Sequence, residues 1–265
     1  MNIKLTTPFL FISALLMSPA QAYWQGSWLI GASGSYGERS GDVDIQMVYT
    51  TNFVPVPLRT SYITEKYVDR GTIWGLFAGY QIRCNRFLVG LEANYDWDDM
   101  NNNAHDFAFL DTLAQTSVVV PPGNSYIATA QYERDPTFGV SFRFGYDVNP
   151  CFMPFIRIGG ETSKDSLTLS FGGVPFLNSL STTIKDSDRI YRLFGGVGAE
   201  ISSILWRSTL LQPISFRVEY CVHAASDDAV EAVGMINDGT YSPLFVNKMK
   251  PVTHTGKISI VWNFI

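Results

Sequence analysis

Across residues 137–147 the chain alternates without a break. Phe138, Val140, Phe142, Phe144 and Tyr146 fall on one side, and Thr137, Gly139, Ser141, Arg143, Gly145 and Asp147 on the other. Successive strand side chains point to opposite faces, so this segment is a strand with one apolar face and one face of glycine and charge. Residues 87–96 repeat the arrangement, with Phe87, Val89, Leu91, Ala93 and Tyr95 opposing Leu88, Gly90, Glu92, Asn94 and Asp96. Eight such segments can be read, at roughly 27–36, 71–82, 86–96, 137–147, 153–161, 190–201, 213–223 and 252–265. Each is near the roughly 9 to 11 residues that a tilted strand needs to cross a bilayer.

No apolar face of these strands carries a charge, whereas the opposite faces hold Glu92, Asp96, Arg143, Asp147, Arg157, Glu161, Arg192, Glu200, Arg217, Glu219 and Lys257. An Arg or Lys facing lipid costs roughly 2 to 4 kcal/mol at the bilayer midplane, so slipping every strand by one residue would be prohibitive in sum. The pattern predicts an all-β, antiparallel, eight-stranded transmembrane barrel with its charges inside. A soluble sandwich would instead bury the apolar faces and wet the charged ones. Aromatics recur at the strand ends. In an up-and-down barrel Tyr36, Trp74, Tyr95, Phe138 and Tyr191 collect at one membrane interface, and Trp28, Tyr80, Phe87, Tyr146, Trp262 and Phe264 at the other.

Connections alternate as well. Those at 83–85, 148–152 and 202–212 are short, while 37–70, 97–136, 162–189 and 224–251 are long. Short periplasmic turns and long extracellular loops are the layout of outer-membrane barrels. Strand-like stretches within the loops, at 44–49, 116–120, 125–130 and 166–171, predict that strands continue above the bilayer as hairpins. A barrel of ten or twelve strands is the alternative.

Residues 1–22 change the picture at the start. Lys4, the apolar run Pro8 to Met17 and the small-residue ending at Ala22 predict a cleaved export signal, leaving the barrel domain as 23–265. Only 16% of residues are charged, 14% are aromatic, and the formal net charge is -5, which argues against a nucleic-acid partner. Export places the cysteines in an oxidising compartment. Cys84 and Cys151 sit in two successive short turns on one side, so a disulfide between them is expected unless two intervening strands hold them beyond the roughly 7 Å Cα limit. Cys221 has inward parity and is expected to stay unpaired.

Six motifs, in order, resemble the small eight-stranded outer-membrane barrels of the opacity-protein and outer-membrane-protein-A type, a porin-like superfamily. They are Trp28-Leu-Ile-Gly-Ala-Ser-Gly-Ser-Tyr36, Gly75-Leu-Phe-Ala-Gly-Tyr80, Val89-Gly-Leu-Glu-Ala-Asn-Tyr95, Pro154-Phe-Ile-Arg-Ile-Gly-Gly160, Gly195-Gly-Val-Gly-Ala-Glu200 and Phe216-Arg-Val-Glu-Tyr220. The resemblance covers the strands and none of the loops. Two features depart from the pattern: no peptidoglycan-binding domain follows the barrel, and Ile265 extends one residue past the expected terminal aromatic, Phe264. The resemblance implies location in the bacterial outer membrane among lipid and lipopolysaccharide. It also implies assembly machinery engaging the last strand, and surface roles such as adhesion or contact with a host or envelope protein through the loops.

Two other function classes compete. A pore is disfavoured, because eight strands leave an interior just wide enough for side chains to fill. The inward set of five basic and six acidic residues also favours ion pairs spanning the lumen; a small or gated porin survives as the alternative. A lipid-modifying enzyme would rest on His223-Ala-Ala-Ser226 with Glu231, a spacing unlike the His-x-Ser of lipid A deacylases, and the bland reading is a rim histidine before a solvated loop. No Gly-x-Ser-x-Gly, His-Glu-x-x-His or P-loop pattern is present. Neither catalytic residues nor a cofactor are expected. Asp98-Asp99 with Asn101 to Asn103 has oxygen donors for a hard cation, but polar loop tips usually stay wet, and no metal site is assigned. Apolar runs at 52–58, 117–122 and 173–177 mark the loops as candidate contact surfaces.

Overall fold

The computed structural model describes residues 24–51, 54–100, 104–110, 125–172, 182–202, 213–226, 229–235 and 244–264. The expected export signal, the stretch 116–120, Asn101 to Asn103, Ile265 and the side chains of the three apolar loop runs lie outside the described residues. Twelve strands follow in order: β1 Trp24–Thr51, β2 Val54–Cys84, β3 Phe87–Asp98, β4 Ala104–Leu110, β5 Ser125–Arg134, β6 Thr137–Tyr146, β7 Phe152–Gly172, β8 Thr182–Ser202, β9 Ile214–His223, β10 Val230–Met235, β11 Leu244–Met249 and β12 Val252–Phe264. Eight of them, in the order β1-β2-β3-β6-β7-β8-β9-β12, close into a ring when β12 pairs back onto β1. Every ladder in it is antiparallel. β2 turns into β3 through Asn85 and Arg86, and Asn85 takes the left-handed φ of 54° that asparagine tolerates better than most residues.

The remaining four strands explain the long connections. β1 pairs with β12 up to Ser40 and, from Val43, with β11 instead. β7 pairs with β6 up to Thr162 and, from Asp165, with β5. The hairpins β4–β5 and β10–β11 therefore take over where shorter wall strands stop. β1–β2 and β7–β8 simply continue, with residues Gly37–Thr51 of β1 adding on the order of 50 Å of extended chain. The result is two four-stranded sheets, β10-β11-β1-β2 and β4-β5-β7-β8, standing on the barrel. The expected hairpin continuation holds, and the membrane wall stays at eight strands.

Side-chain parity carries over from the barrel wall into the upper sheets, yet the chemistry of the two faces inverts. On the barrel part of β1 the outward positions are Trp28, Ile30, Ala32 and Tyr36; above Tyr36 they become Glu38, Ser40, Asp42 and Asp44. The inward positions change from Ser33, Ser35 and Arg39 to Val43 and Ile45. β8 shows the same exchange in the opposite direction, from outward Lys185 and Arg189 to outward Tyr191, Leu193 and Val197. In the upper part a buried apolar cluster joins the two sheets, with Val43, Ile45, Tyr67, Val230, Ala232 and Met249 meeting Ala130, Tyr132, Leu167, Leu169, Ile184 and Ile190. This is the ordering of a water-soluble sandwich. Below it, the outward face is a belt of exposed Trp, Tyr, Phe, Leu, Ile and Val that no water-soluble surface would present over such an extent. Lipid is the solvent that matches it, and the exchange at Tyr36, Trp74 and Tyr191 marks where lipid gives way to water.

Candidate functional site

The site with most chemistry is the lumen. It holds a buried apolar set, Leu29, Phe77 and Val261. At about the same level, four charged side chains on four strands form a closed cycle. Arg143 on β6 bonds Glu200 on β8 and lies 3.0 Å from Glu92 on β3; Arg217 on β9 reaches Glu92 at 2.9 Å and Glu200 at 2.8 Å. Arg143 also donates to Gln81, and Ser215 donates to Glu200 at 2.6 Å. Each charge has two opposite neighbours, which is the arrangement that offsets the desolvation of burying it.

The next layer holds Arg157, which donates to Ser141 at 2.8 Å, Asn94 at 3.2 Å and Glu219 at 3.4 Å. Asp96 accepts from Asn94 and lies 3.5 Å from Lys257. Cys221 donates to Glu219 at 3.0 Å. Towards the loop side, His223 Nδ1 meets Glu161 at 2.8 Å while its ring stacks on Phe194. Arg192 bonds Asp165 and donates to Ser163 at 2.8 Å and the Tyr132 hydroxyl at 3.0 Å, and Arg39 pairs with Asp98.

Three guanidinium groups also lie over phenylalanine rings that occupy inward positions: Arg217 over Phe77, Arg143 over Phe155 and Arg157 over Phe194, at 5.2 to 5.3 Å. Each ring has its seat at a glycine of a neighbouring strand. A Cβ at Gly31 would stand 2.3 Å from Phe77, and one at Gly198 would stand 2.7 Å from Phe155. Inward glycine thus makes room for a ring, and the ring carries an arginine.

Ten of the eleven expected lumen charges are buried: Glu92, Asp96, Arg143, Arg157, Glu161, Arg192, Glu200, Arg217, Glu219 and Lys257. Asp147 corrects the expectation. It follows the last residue of β6, its amide bonds Arg86 O at 2.7 Å, and its carboxylate lies 3.8 Å from Arg83 at the half-exposed turn-side rim. The aromatic positions Trp28, Tyr36, Trp74, Tyr80, Phe87, Tyr95, Phe138, Tyr146, Tyr191, Trp262 and Phe264 are all exposed on the outer face. Register sets them in two rows, with Trp28 beside Tyr80 and Phe264, Phe87 beside Tyr146, and Tyr95 beside Phe138.

The disulfide is a further correction, since Cys84, Cys151 and Cys221 are free thiols. Strands β3 and β6 stand between β2, which ends at Cys84, and the turn that holds Cys151. Three strand spacings amount to roughly 14 Å, about twice the reach of a bridge.

Arg39, Arg134, Asp165, Tyr132 and Tyr67 belong to the upper network with Asp98 and escaped the sequence reading, although odd parity on β1 runs unbroken from Ser33 through Arg39 to Ile45. Burial works against ionisation of Asp165, but Arg134 and Arg192 outweigh it and hold the carboxyl below the usual range. Burial, with Asp69 alongside, pushes the Tyr67 hydroxyl up. The groups of the His223, Ser226 and Glu231 constellation are engaged otherwise: His223 meets Glu161, and Glu231 pairs with Lys248 at 2.5 Å. The Asp98 carboxylate, considered for a cation, is held by Arg39 and the Met100 amide.

No protein-family model matches the chain, and no curated protein matches it. Among solved structures it is similar to Neisserial surface protein A (NspA), at 9% identity over 86% of this chain and 97% of that one, with a TM-score of 0.33. It is similar to Ail, the attachment invasion locus protein of Yersinia pestis, at 10% identity over 87% and 99%, with a TM-score of 0.31. The outer membrane protease OmpT from Escherichia coli follows at 12% identity over 89% and 97%, with a TM-score of 0.30. Likenesses at this level say nothing about activity, and the architecture rests on the pairing of the strands themselves. Ring closure, the outward apolar belt and the filled lumen make the chain a small eight-stranded transmembrane β-barrel.

Proposed function

We propose that this chain is a bacterial outer-membrane surface protein whose closed barrel holds up a rigid platform for binding an envelope, neighbouring-cell or host partner, in the manner of an adhesin. The observation that carries this reading is the two-sheet sandwich built from the four long connections. It shares one apolar core, it presents charged outward faces, and it caps a lumen already crossed by ion pairs. Investment of this kind suits a surface held in one shape for recognition better than a gate. The same reading has lipid and lipopolysaccharide against the aromatic rows, and the assembly machinery engaging β12. It takes the loop side to be the cell exterior.

The test compares the full barrel with a variant in which all four connections are cut to short turns at the level of Tyr36, Trp74, Tyr95, Phe138 and Tyr191. The trimmed barrel is expected to fold and to lose binding to cells or envelope extracts. Retention of every binding phenotype would move the function into the barrel wall.

A further inference from the structure

Between the ionic layers and the apolar cap lies a small chamber of about 20 Å³, lined by Ser35, Asp96, Glu161, His223, Thr253, Thr255 and Lys257 among others. It is large enough to hold a water. Several polar atoms on its lining residues have no hydrogen-bond partner among the described residues: Glu161 Oε1, Thr253 Oγ1 and Thr255 Oγ1, on side chains that are at least nine-tenths buried. Lys257 adds an ammonium with three donors and, among the described residues, one long 3.5 Å contact to Asp96. Buried polar groups left unmet are destabilising, and a shared ligand that both donates and accepts would satisfy them together.

We infer that the chamber is a hydration site holding one ordered water, which accepts from Lys257 Nζ and donates to Glu161 Oε1, with the Thr253 and Thr255 hydroxyls completing its shell. The charge pattern selects water over an ion. Lys257 and Arg134 line the chamber and oppose a cation, while Asp96, Asp98 and Glu161 line it and oppose an anion. A neutral molecule that both donates and accepts fits both halves.

The test is a high-resolution crystal structure of the full mature chain, from crystals grown in parallel with rubidium chloride and with sodium bromide. The expected result is a single peak within hydrogen-bonding distance of Lys257 Nζ and Glu161 Oε1, without anomalous signal in either crystal. An anomalous rubidium or bromide peak in the chamber would make it an ion site and overturn the inference. A chamber without density, in maps that show other buried waters, would overturn it equally.

Discussion

Arg217 on β9 and Glu92 on β3 meet at 2.9 Å although their strands stand four places apart in the eight-strand ring, directly opposite one another. One ion pair therefore spans the full diameter of the barrel, and Arg143 and Glu200 complete the cycle around it. An open aqueous path would require this pair to part.

Removing Arg217 leaves Glu92 and Glu200 sharing Arg143 alone. Arg217→Ala is expected to destabilise the barrel by about 3 to 5 kcal/mol, the cost of stranding a buried charge. The double variant Arg217→Ala with Glu92→Gln restores the balance, leaving Arg143 with Glu200, and should cost less than the single one. Urea unfolding in detergent micelles, read by tryptophan fluorescence, measures both. A double variant weaker than the single would remove the charge cycle from the account.

A glycine that seats a neighbouring ring differs from one with open space around it. Gly198→Ala would bring a Cβ to 2.5 Å from the Val218 carbonyl oxygen and 2.7 Å from Phe155. A loss of about 1 to 3 kcal/mol is expected, as for other overpacked cores. Gly256→Ala meets nothing within 4 Å and should stay within about 0.5 kcal/mol of the parent. The same unfolding assay compares them.

The upper sandwich carries its own pH window. Asp165 is held below its unfolded value, so its contribution is present above about pH 4 and is lost as pH falls through the lower folded value. Tyr67 is raised, so its contribution is present below about pH 10 and is lost as pH rises further. Near-ultraviolet circular dichroism should stay constant between these limits and change outside them, with the barrel strands still protected in amide exchange. Loss of the sandwich signal at neutral pH would contradict the assignment.

Barrel parity was legible in the sequence because charge is so costly in lipid that each strand writes its two faces in different alphabets, as Phe142 beside Arg143 illustrates. The extent of the strands was not. The pattern predicts continuation above the bilayer at 44–49, but residues 37–43, where the outward residues change from apolar to polar, read as loop although that change marks the edge of the membrane, and so Arg39 and Val43 were missed. Which hairpin joins which wall is a matter of register between distant segments, such as Ile45 with Asn247 and Tyr132 with Leu167, and no local pattern reports it. The Cys84–Cys151 expectation failed for a related reason. Chain order places their turns in succession, while strand order puts two strands between them.

Spin labels test the exchange of solvent along a single parity. Labels at Phe142 and Val218 should be accessible to a lipid-soluble quencher, and labels at Ser40 and Asp42 to a water-soluble one. Labels at Val43 and Ile45 should be accessible to neither. Lipid accessibility at Ser40 or Asp42 would place the membrane boundary higher than Tyr36.

Conductance in planar bilayers measures the closed lumen directly. The purified, intact mature chain should insert without opening steady channels, while the double variant Arg217→Ala with Arg143→Ala, which empties the cycle of its cations, should show a raised leak. Steady conductance by the intact chain at the level of a general porin would contradict the account, because the Arg217–Glu92 pair and its cycle could not then stand across the lumen.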